Sequence, residues 1–270
     1  MNSLIDVVIV TYKSATVIAK CLDSLNSEKI TNIVLVDNAS DDDIEYTAQR
    51  SASASKIKLI QSSENLGFAK AVSLGVSTCQ AEYVLILNPD CEVTEEFLES
   101  VIVSHAGGAD VVVPRHTFND EGESLPGLVE NPAAAKIAMQ VFMYQIRKKI
   151  PRIFYGLFDA LTLLTPLLEA ISRYREKKNN MQWYWPNGAC FSITKRMYDL
   201  AGKLPEHYFM YNEDVEFGYH LKQKNCRYAV TRETLFHAFR KGSAISVDSR
   251  MELILRAHLL YLKRVKNRFL

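Results

Sequence analysis

Short apolar runs alternate with amphipathic stretches along the first 115 residues of the chain. Five runs have the length and the β-branched content of strands, at positions 5–10, 32–36, 56–60, 83–87 and 110–113. Between them, apolar side chains recur at helical spacing, first at Val17, Ile18, Cys21, Leu22 and Leu25 and again near 68–78. Such a series predicts an α/β fold, in which a parallel sheet is covered by helices on both faces.

Two hydroxyl side chains in this region are expected to begin helices. Ser40 precedes "DDDIEYTAQR" and is an expected N-cap, with the three aspartates in the first helical turn. Thr94 is the expected N-cap of the helix "EEFLESVIVSH". The inner face of that helix carries Phe97, Leu98, Val101 and Ile102.

The segment 131–181 differs in kind from what precedes it. Its composition is helical, and its basic residues form clusters at Arg147, Lys148, Lys149, Arg152, Arg173, Arg175, Lys177 and Lys178. The stretch 153–171 approaches membrane-spanning length, but Asp159, Pro166 and Glu169 interrupt it. We interpret the segment as helices that lie in a bilayer interface or against a partner. A helical subdomain with its own core is the alternative.

After this segment the pattern returns to short elements. "WYWPNGACFSI" predicts a strand interrupted by a turn at 186–188, and "TKRMYDLAG" predicts a short helix that ends at Gly202. "RYAVTRETLFHAF" predicts paired strands, and "RMELILRAHLLYLKRVKNRFL" predicts a cationic amphipathic helix. These changes of pattern divide the chain into four expected segments, 1–128, 129–181, 182–245 and 246–270. The second is the helical segment, and the fourth is the cationic helix.

Composition adds one asymmetry to this picture. With 48% hydrophobic and 23% charged residues, the 270-residue chain resembles an ordinary globular protein with a sizeable core. The net charge is +1, but residues 1–130 carry 8 Lys and Arg against 20 Asp and Glu, a net of −12, which leaves +13 for residues 131–270. We expect one half to handle substrate and the other to face an anionic surface, either nucleic acid or lipid.

The cysteines and the first residues bear on the compartment. The five cysteines show neither CxxC pairing nor metal-ligand spacing, so reduced thiols are expected. Residues 4–10 predict a strand containing Asp6, rather than a signal peptide. The chain is therefore expected to stay in the cytoplasm.

Polar residues follow three of the predicted strands at the point where each strand ends. They are Thr11 and Tyr12, then Asp37 and Asn38, then Asn88, Pro89 and Asp90. Ligands of open parallel sheets bind beyond the carboxyl ends of the strands, so these clusters are expected to converge on one crevice. Each cluster taken alone is also what a turn or a helix cap requires.

Asp90 is the expected ligand of a divalent cation in that crevice. A carboxylate alone repels a phosphate-rich ligand, whereas Mg²⁺ or Mn²⁺ joins one or two carboxylates to phosphate oxygens. Pro89 restricts the backbone before Asp90, and Asn88 can accept or orient through its amide. Asp37 and Asn38 suit recognition of a base or a ribose. As alternatives, residues 88–90 would form only a turn, and Asp37 and Asn38 would belong only to the turn that enters a helix.

Further titratable residues lie in the last third of the chain. Asn212 is expected to cap a helix whose first turn holds Glu213, Asp214 and Glu216. Adjacent acids point in different directions, so one can anchor the loop while the other acts as general base on a hydroxyl. Acids that only stabilise a helix N-terminus are the alternative. His237 is either structural or a metal ligand through a neutral ring nitrogen.

Seven motifs in this order resemble those of the inverting glycosyltransferases of family 2. They are "VVIVTYKS", "VDNASDD", "NLGFAKA", "LILNPD", "WPNGACFSI", "NEDVEFGYHLKQKN" and "HAFRKGS". Asn-Pro-Asp in place of Asp-x-Asp is similar to a branch that includes many bacterial rhamnosyltransferases of polysaccharide synthesis. The resemblance covers 4–128 and 182–245. It implies the GT-A fold, a Rossmann-like, mixed and mostly parallel sheet with helices on both faces, here with a helical insertion and a basic C-terminal helix.

The resemblance also implies a role for each matching position. Donor-binding positions are Thr11, Tyr12, Asp37, Asn65, Gly67, Asn88 and Asp90. Asp90 and His237 would hold Mg²⁺ or Mn²⁺. Asp214 would be the catalytic base, with Glu213 orienting the acceptor. The sugar and acceptor pocket would contain Trp185, Asn187 and Gly188.

The chain departs from the family pattern at two places. Ser73 or a neighbour stands where the glycine loop of the family often ends in Asn, so contacts from that helix do not carry over. The insertion at 131–181 has no counterpart in the motif set.

The implied reaction is one in-line displacement with inversion at the anomeric carbon, in which the metal offsets charge on the departing diphosphate and Asp214 takes the acceptor proton. The expected donor is dTDP-rhamnose, and a UDP-hexose or UDP-N-acetylhexosamine is the alternative. The expected acceptor is polyprenyl-diphosphate-linked or a glycan, in synthesis of lipopolysaccharide O-antigen or capsule. We expect the chain to lie peripherally on the anionic inner face of the cell membrane.

Two other classes of function stay open. A catalytically inactive, membrane-associated scaffold would have no need of Asp90, Asp214 and His237 together. A nucleic-acid-binding protein would interleave basic residues with exposed aromatics, whereas the basic residues here alternate with aliphatics at helical spacing. The expected partner of the basic half is therefore lipid and not nucleic acid.

Overall fold

The structure, a computed structural model, describes residues 4–131, 137, 139, 142, 165–178, 182–238 and 247–269. Its strands are β1 (Ile5–Thr11), β2 (Ile30–Asp37), β3 (Ile57–Gln61), β4 (Tyr83–Leu87), β5 (Cys91–Glu92), β6 (Val111–Val113), β7 (His116–Phe118), β8 (Ser124–Pro126), β9 (Leu128–Glu130), β10 (Tyr184–Pro186), β11 (Cys190–Thr194), β12 (Tyr228–Val230) and β13 (Thr234–His237). Its helices are α1 (Ile18–Ser24), α2 (Ile44–Arg50), α3 (Phe68–Thr78), α4 (Glu95–Ala106), α5 (Thr165–Lys178), α6 (Lys195–Leu200), α7 (Glu213–Gln223) and α8 (Val247–Phe269).

The main sheet has seven strands in the order β12-β6-β11-β4-β1-β2-β3. β1 runs parallel to β2 and to β4, and the pairs β2–β3 and β6–β12 are also parallel. β11 runs antiparallel to both of its neighbours, β4 and β6. The mixed and mostly parallel sheet predicted from the sequence is therefore confirmed.

Side chains of the central strands enter two cores, one on each face of the main sheet. In β1, Val7 packs with Leu22 of α1 in one core, and Val8 packs with Val72 of α3 in the other. All five residues of β4 are buried. Because such cores are close-packed, the end of β4 is held at a fixed place.

Of the three expected N-caps, Thr94 is confirmed, Asn212 occupies the N-cap position of α7, and Ser40 is wrong. Thr94 accepts a hydrogen bond from the N–H of Phe97 at 3.2 Å, as an N-cap does. Ser40 is not a cap, because α2 begins four residues later and its N-cap is Asp43. The Ser40 hydroxyl instead accepts from the N–H of Lys13 at 2.9 Å.

The aspartates before α2 serve the neighbouring loop rather than the first turn of the helix. Asp41 forms an ion pair with Lys13 at 2.9 Å, and Asp42 accepts from the N–H of Ala15 at 2.8 Å. These contacts compete with helix formation for the same side chains, so the helix starts after them.

A second sheet, in the order β5-β13-β7-β8, lies beside the end of β4. β13 runs antiparallel to β5, with His237 opposite Cys91. The prediction that β12 and β13 pair with each other is wrong, since β12 pairs with β6 and β13 with β5 and β7. The segment between β12 and β13 runs alongside the segment between β6 and β7. Two hydrogen bonds join these segments, from Thr231 N–H to the Val113 carbonyl and from Arg115 N–H to the Glu233 carbonyl.

The chain divides into two compact units. The first unit comprises Met1–Val129 and Tyr184–Ser246, and it contains the main sheet. The second comprises Glu130–Trp183 and Val247–Leu270, and it contains α5 and α8. The helices expected across 132–164 and 179–181 fall almost wholly outside the described residues. Within the described part of the chain, no helix combines the length and apolarity needed to cross a membrane.

Candidate active site

Thr11 and Asp37 end neighbouring parallel strands and lie side by side. The strand register places them opposite each other, and the Thr11 hydroxyl lies 3.4 Å from Asp37 Oδ1. The N–H of Asn38 donates to the Thr11 carbonyl at 2.8 Å. Tyr12 follows, partly exposed, with the Lys13 ammonium 5.7 Å from the centre of its ring. The polar ends of β1 and β2 therefore form one edge.

The loop before α3 joins this edge through Asn38. The Asn38 amide donates to the Gly67 carbonyl at 3.1 Å and accepts from the Leu66 N–H at 2.8 Å, while Asn65 Oδ1 accepts from the Gly67 N–H at 3.0 Å. Gly67 has φ 78° and ψ 179°, a conformation nearly confined to glycine. A Cβ at this position would lie 2.3 Å from the Phe209 carbonyl oxygen. Glycine is therefore required where this loop meets the segment before α7.

The turn after β10 contacts both the end of β4 and the start of α7. The N–H of Asn88 donates to the Ala189 carbonyl at 2.8 Å. Asn187 Oδ1 accepts from the Ala189 N–H at 3.0 Å, which fixes the shape of the turn. The N–H of Gly188 donates to Asp214 Oδ2 at 3.4 Å. Asn88 and Asp214, far apart in sequence, thus contact the same turn.

Asp90 and His237 face each other where β5 pairs with β13. His237 Nε2 lies 3.2 Å from Asp90 Oδ1, and each side chain exposes 10% of its surface. The N–H of Ala238 donates to the Asp90 carbonyl at 3.0 Å, which ties the two strands together beside the pair. The pair offers one carboxylate oxygen and one imidazole nitrogen at the end of β4.

Cys91 lies beside this pair, and its thiol bears on which kind of metal the three residues could bind. Its Sγ and the donor atoms of Asp90 and His237 lie within 4.8 Å of one another. Burial raises the pKa of the Cys91 thiol well above its ordinary range, and the thiol donates to the Ala189 carbonyl at 3.5 Å. Among the described residues only these three donors meet, one fewer than a closed structural zinc site requires. The oxygen of Asp90 and the nitrogen of His237 would suit a hard cation that takes further oxygen ligands.

Glu213 and Asp214 begin α7 and differ in exposure. Glu213 is buried, and its Oε2 has no hydrogen-bond partner among the described residues, whereas Asp214 is partly exposed. Burial raises the pKa of both carboxyls, and the charge of Asp214 raises the pKa of Glu213 further. Hydrogen bonds from Val215 and Gly188 limit the rise in pKa at Asp214. Asp214 is therefore the more accessible and the more readily ionised of the two acids.

Unusual backbone conformations lie in the loops around the site. Lys13 and Ala39 follow β1 and β2 with φ of 55° and 60°. Tyr211 and Asn212 precede α7 with φ of 70° and 66°. Each such non-glycine residue costs about 1–3 kcal/mol and persists only where its surroundings fix it, which is typical of binding sites. Sequence reasoning missed these positions, since only Asn212 has a side chain that favours this conformation.

A buried network that sequence reasoning also missed supports α7. Glu216 is 2% exposed, accepts from the Tyr208 hydroxyl at 2.7 Å, and lies 3.2 Å from His207 Nε2. Further along α7, Gly218 lies so close to β10 that a Cβ would meet the Trp185 Cβ at 2.4 Å. These contacts fix the helix that carries Asp214 against the strand that carries Trp185.

A cavity of about 640 Å³ opens beside Asp90 on the side of α1. Its charged lining residues are Lys20, Asp90, Glu92, Asp120, Glu121 and Glu123. Thr11, Asp37 and Gly67 do not line it. Asp90 therefore lines this acidic cavity, whereas the residues at the ends of β1 and β2 lie outside it.

Ser73 bonds to a neighbouring helix. It is buried on α3, and its hydroxyl is 3.2 Å from the Tyr198 hydroxyl. Its described partner is therefore a buried tyrosine of α6.

The model of glycosyl transferase family 2 matches residues 6–215 of this chain. A low-salt glycan biosynthesis hexosyltransferase of Haloferax volcanii is 25% identical over 226 residues, which are 82% of this chain and 62% of that protein. An N-acetylglucosaminyl-diphospho-decaprenol L-rhamnosyltransferase of Mycobacterium tuberculosis is 24% identical over 81% of this chain and 70% of its own length. The chain thus spans about two thirds of the length of these relatives.

Among solved structures, GalNAc-T7 with UDP, GalNAc and Mn²⁺ superposes on this chain with a TM-score of 0.61. The two are 14% identical, and the match covers 94% of this chain and 48% of the other. At this identity the likeness concerns the fold alone. The GT-A fold implied by the sequence motifs is confirmed.

Proposed function

The chain belongs to glycosyl transferase family 2, and on that premise we propose that it transfers a sugar, with inversion, from a nucleotide-linked donor to an acceptor hydroxyl. The observation that carries the proposal is the turn that contacts both Asn88 and Asp214, through the Ala189 carbonyl and the Gly188 N–H. This turn holds a partly exposed carboxylate beside the end of β4. Ligands of open parallel sheets bind at such strand ends.

Asp214 is the general base of the proposed reaction. The acceptor oxygen bonds to the anomeric carbon while the bond from that carbon to the diphosphate oxygen breaks, and the electron pair leaves with the diphosphate. Asp214 takes the hydroxyl proton as the new bond forms. A carboxylate whose pKa is raised by burial holds a proton better near neutral pH, which suits this role.

Glu213 orients the acceptor from the buried side of Asp214. Its raised pKa favours the neutral form, so it adds little negative charge next to the base. A neutral carboxyl can donate a hydrogen bond, which a carboxylate cannot.

Asp90 and His237 would hold the divalent cation. Their oxygen and nitrogen donors, 3.2 Å apart, fit Mg²⁺ or Mn²⁺ when diphosphate oxygens complete the coordination. When bound, the cation would offset the charge that develops on the departing diphosphate. The Mn²⁺ bound with UDP in GalNAc-T7 is consistent with this choice.

The nucleoside would lie along the edge of β1 and β2. The side chains and backbone there offer donors and acceptors that suit a pyrimidine and its ribose, at Thr11, Tyr12, Asp37, Asn65 and Gly67. We take dTDP-rhamnose as the first donor to test, because the mycobacterial relative is named a rhamnosyltransferase. UDP-hexoses and UDP-N-acetylhexosamines are the alternative.

The acceptor is proposed to be a lipid-linked or saccharide hydroxyl of a surface polysaccharide, presented at a membrane. Gly188 contacts Asp214, and Trp185 and Asn187, which precede it in β10 and the following turn, would shape the acceptor pocket with it. The named acceptor of the mycobacterial relative is an N-acetylglucosaminyl-diphospho-decaprenol, which supports a polyprenyl-linked acceptor. The charge of +13 in residues 131–270 supports attraction to anionic lipid.

Nucleoside diphosphate release tests the proposal. The chain is incubated with Mn²⁺, dTDP-rhamnose or a UDP-sugar, and a decaprenyl-diphosphate N-acetylglucosamine, and both released nucleotide and glycosylated lipid are measured. We expect one donor to give both products and Asp214→Asn to give neither at a comparable rate. Absence of product with every donor would favour the inactive scaffold.

A further inference from the structure

Helix α5 presents an apolar stripe to solvent. Leu167, Ile171 and Tyr174, here called the α5 stripe, expose 61%, 44% and 69% of their surface. Their spacing of four and three residues places them on one face of the helix. Single exposed apolar side chains are normal on a protein surface, but three in register form an uncovered apolar face.

The opposite face of α5 is anchored within its own unit. Arg173 lies 3.2 Å from Glu130 and 3.3 Å from Glu169. At 3.6 residues per turn, Glu169 and Arg173 lie on the side of the helix away from the α5 stripe. The Arg173–Glu130 pair therefore joins to its unit the side of α5 that faces away from the α5 stripe.

Three exposed cations border the α5 stripe at the C-terminal end of the helix. They are Arg175, Lys177 and Lys178, in the last turn. An apolar face bordered by Lys and Arg is the pattern of a helix that lies in a membrane interface. The cores of protein–protein interfaces are instead depleted in lysine.

We propose that the α5 stripe docks this unit onto a membrane surface that contains anionic lipid, with its apolar side chains in the headgroup layer and the three cations facing lipid phosphates. The inference rests on the proposed function, in which a lipid carries the acceptor. α5 has 14 residues and so spans about 21 Å, less than the roughly 30 Å of a hydrocarbon core. The helix therefore lies along the surface.

Vesicle co-sedimentation of the full chain tests this inference. The vesicles contain phosphatidylcholine alone or phosphatidylcholine with phosphatidylglycerol, and no nucleotide sugar is added. The test variant carries Leu167→Gln, Ile171→Gln and Tyr174→Gln. We expect it to bind anionic vesicles roughly a hundredfold more weakly than the parent, since about half of each of three apolar side chains no longer leaves water.

A matched control removes the same kind of surface from the other unit. Tyr46, Val103 and Leu200 expose 61%, 64% and 47%, so their replacement by Gln removes a comparable exposed apolar area. We expect this control variant to bind vesicles as the parent does. A second variant, with Arg175, Lys177 and Lys178 changed to Gln, should lose roughly fivefold in affinity per cation for anionic vesicles.

Tyr174→Trp gives a readout that does not depend on loss of binding. We expect its added fluorescence to shift to the blue on anionic vesicles and to be quenched by brominated lipid. Equal sedimentation of the stripe variant and the parent, failure of the parent to bind either vesicle, or a stripe-dependent dimer in solution would each overturn the inference. Stripe-dependent sedimentation of a chain that transfers no sugar would support docking while refuting the proposed function.

Discussion

Replacing Gly67 by Ala should separate the loop before α3 from the segment before α7, which contact each other at Gly67 and Phe209. The new Cβ would lie 2.3 Å from the Phe209 carbonyl oxygen and 3.0 Å from its carbon, so the backbone at Phe209 has to move. That movement would break the hydrogen bond from Phe68 N–H to the Phe209 carbonyl, now 3.0 Å long. The backbone conformation of Gly67, with φ 78° and ψ 179°, is also strained for alanine.

The magnitude follows from these two effects. An alanine in this conformation costs about 1–3 kcal/mol, and loss of the hydrogen bond costs about 0.5–1.5 kcal/mol. The sum, about 1.5–4.5 kcal/mol, corresponds to a fall in Tm of roughly 3–18 °C for a chain of this size. Because the loop also bonds to Asn38, the KM for the nucleotide donor should rise.

Gly122→Ala is the matched control for Gly67→Ala. Gly122 has a φ of 80°, but a Cβ there would meet no atom within 4 Å. Circular dichroism melting should therefore show the smaller loss for Gly122→Ala, with an unchanged donor KM. Equal changes in Tm and KM for the two variants would refute the contact between the loop before α3 and the segment before α7.

Four further outcomes are expected at the site. Asp214→Asn should lower the transfer rate by about 10²–10⁴ and leave the donor KM unchanged in steady-state assays. The parent rate should fall as pH decreases through the raised pKa of Asp214, well above the roughly 3.9 of an ordinary aspartate, because the base must be ionised. Glu213→Gln should raise Tm at alkaline pH but not near pH 4. The reason is that the pKa of Glu213 is raised in the folded chain. The protonated carboxyl therefore contributes stability that is full below about pH 4.3 and is lost as pH rises through the folded-state pKa. His237→Ala should raise the Mn²⁺ concentration needed for half-maximal rate, and a chelator should abolish the parent rate until Mn²⁺ is restored.

Each of these outcomes has a contrary result. An Asp214→Asn variant that keeps the parent rate would remove Asp214 as the base. A parent rate that falls only near pH 4 would mean that burial does not raise the pKa of Asp214. A Glu213→Gln variant with lower Tm at every pH would show that Glu213 is ionised and bonded in the fold. Full activity in the presence of a chelator would remove the metal from the reaction.

The elements of the main sheet could be predicted because their pattern is local. α3 and β4 have the predicted bounds, and the Thr94 cap lies where its sequence places it. The prediction that Ser40 is an N-cap is wrong because a hydroxyl or carboxylate near a helix start can bond a neighbouring loop as readily as the helix. Here the N–H groups of Lys13 and Ala15 lie within reach of Ser40 and Asp42. Propensity alone does not decide between these partners.

The long-range contacts of the site could be predicted only in part. Strand ends of a parallel sheet share one edge, which accounts for Thr11 beside Asp37. The partners of β12 and β13 depend on the path of the link before them, and no residue in the two strands specifies it. The left-handed Tyr211 and the approach of Gly67 to Phe209 are likewise tertiary, because neighbouring contacts stabilise a backbone that the local sequence disfavours.

The configuration of the first product tests the proposed mechanism most directly. Proton NMR of the reaction of this chain with its nucleotide sugar and acceptor reports the configuration of the anomeric centre in the donor and in the glycosylated product. With Asp214 as a base that drives one displacement, the product should have the configuration opposite to that of the donor, and Asp214→Asn should form it far more slowly. A product that retains the configuration of the donor would contradict the mechanism.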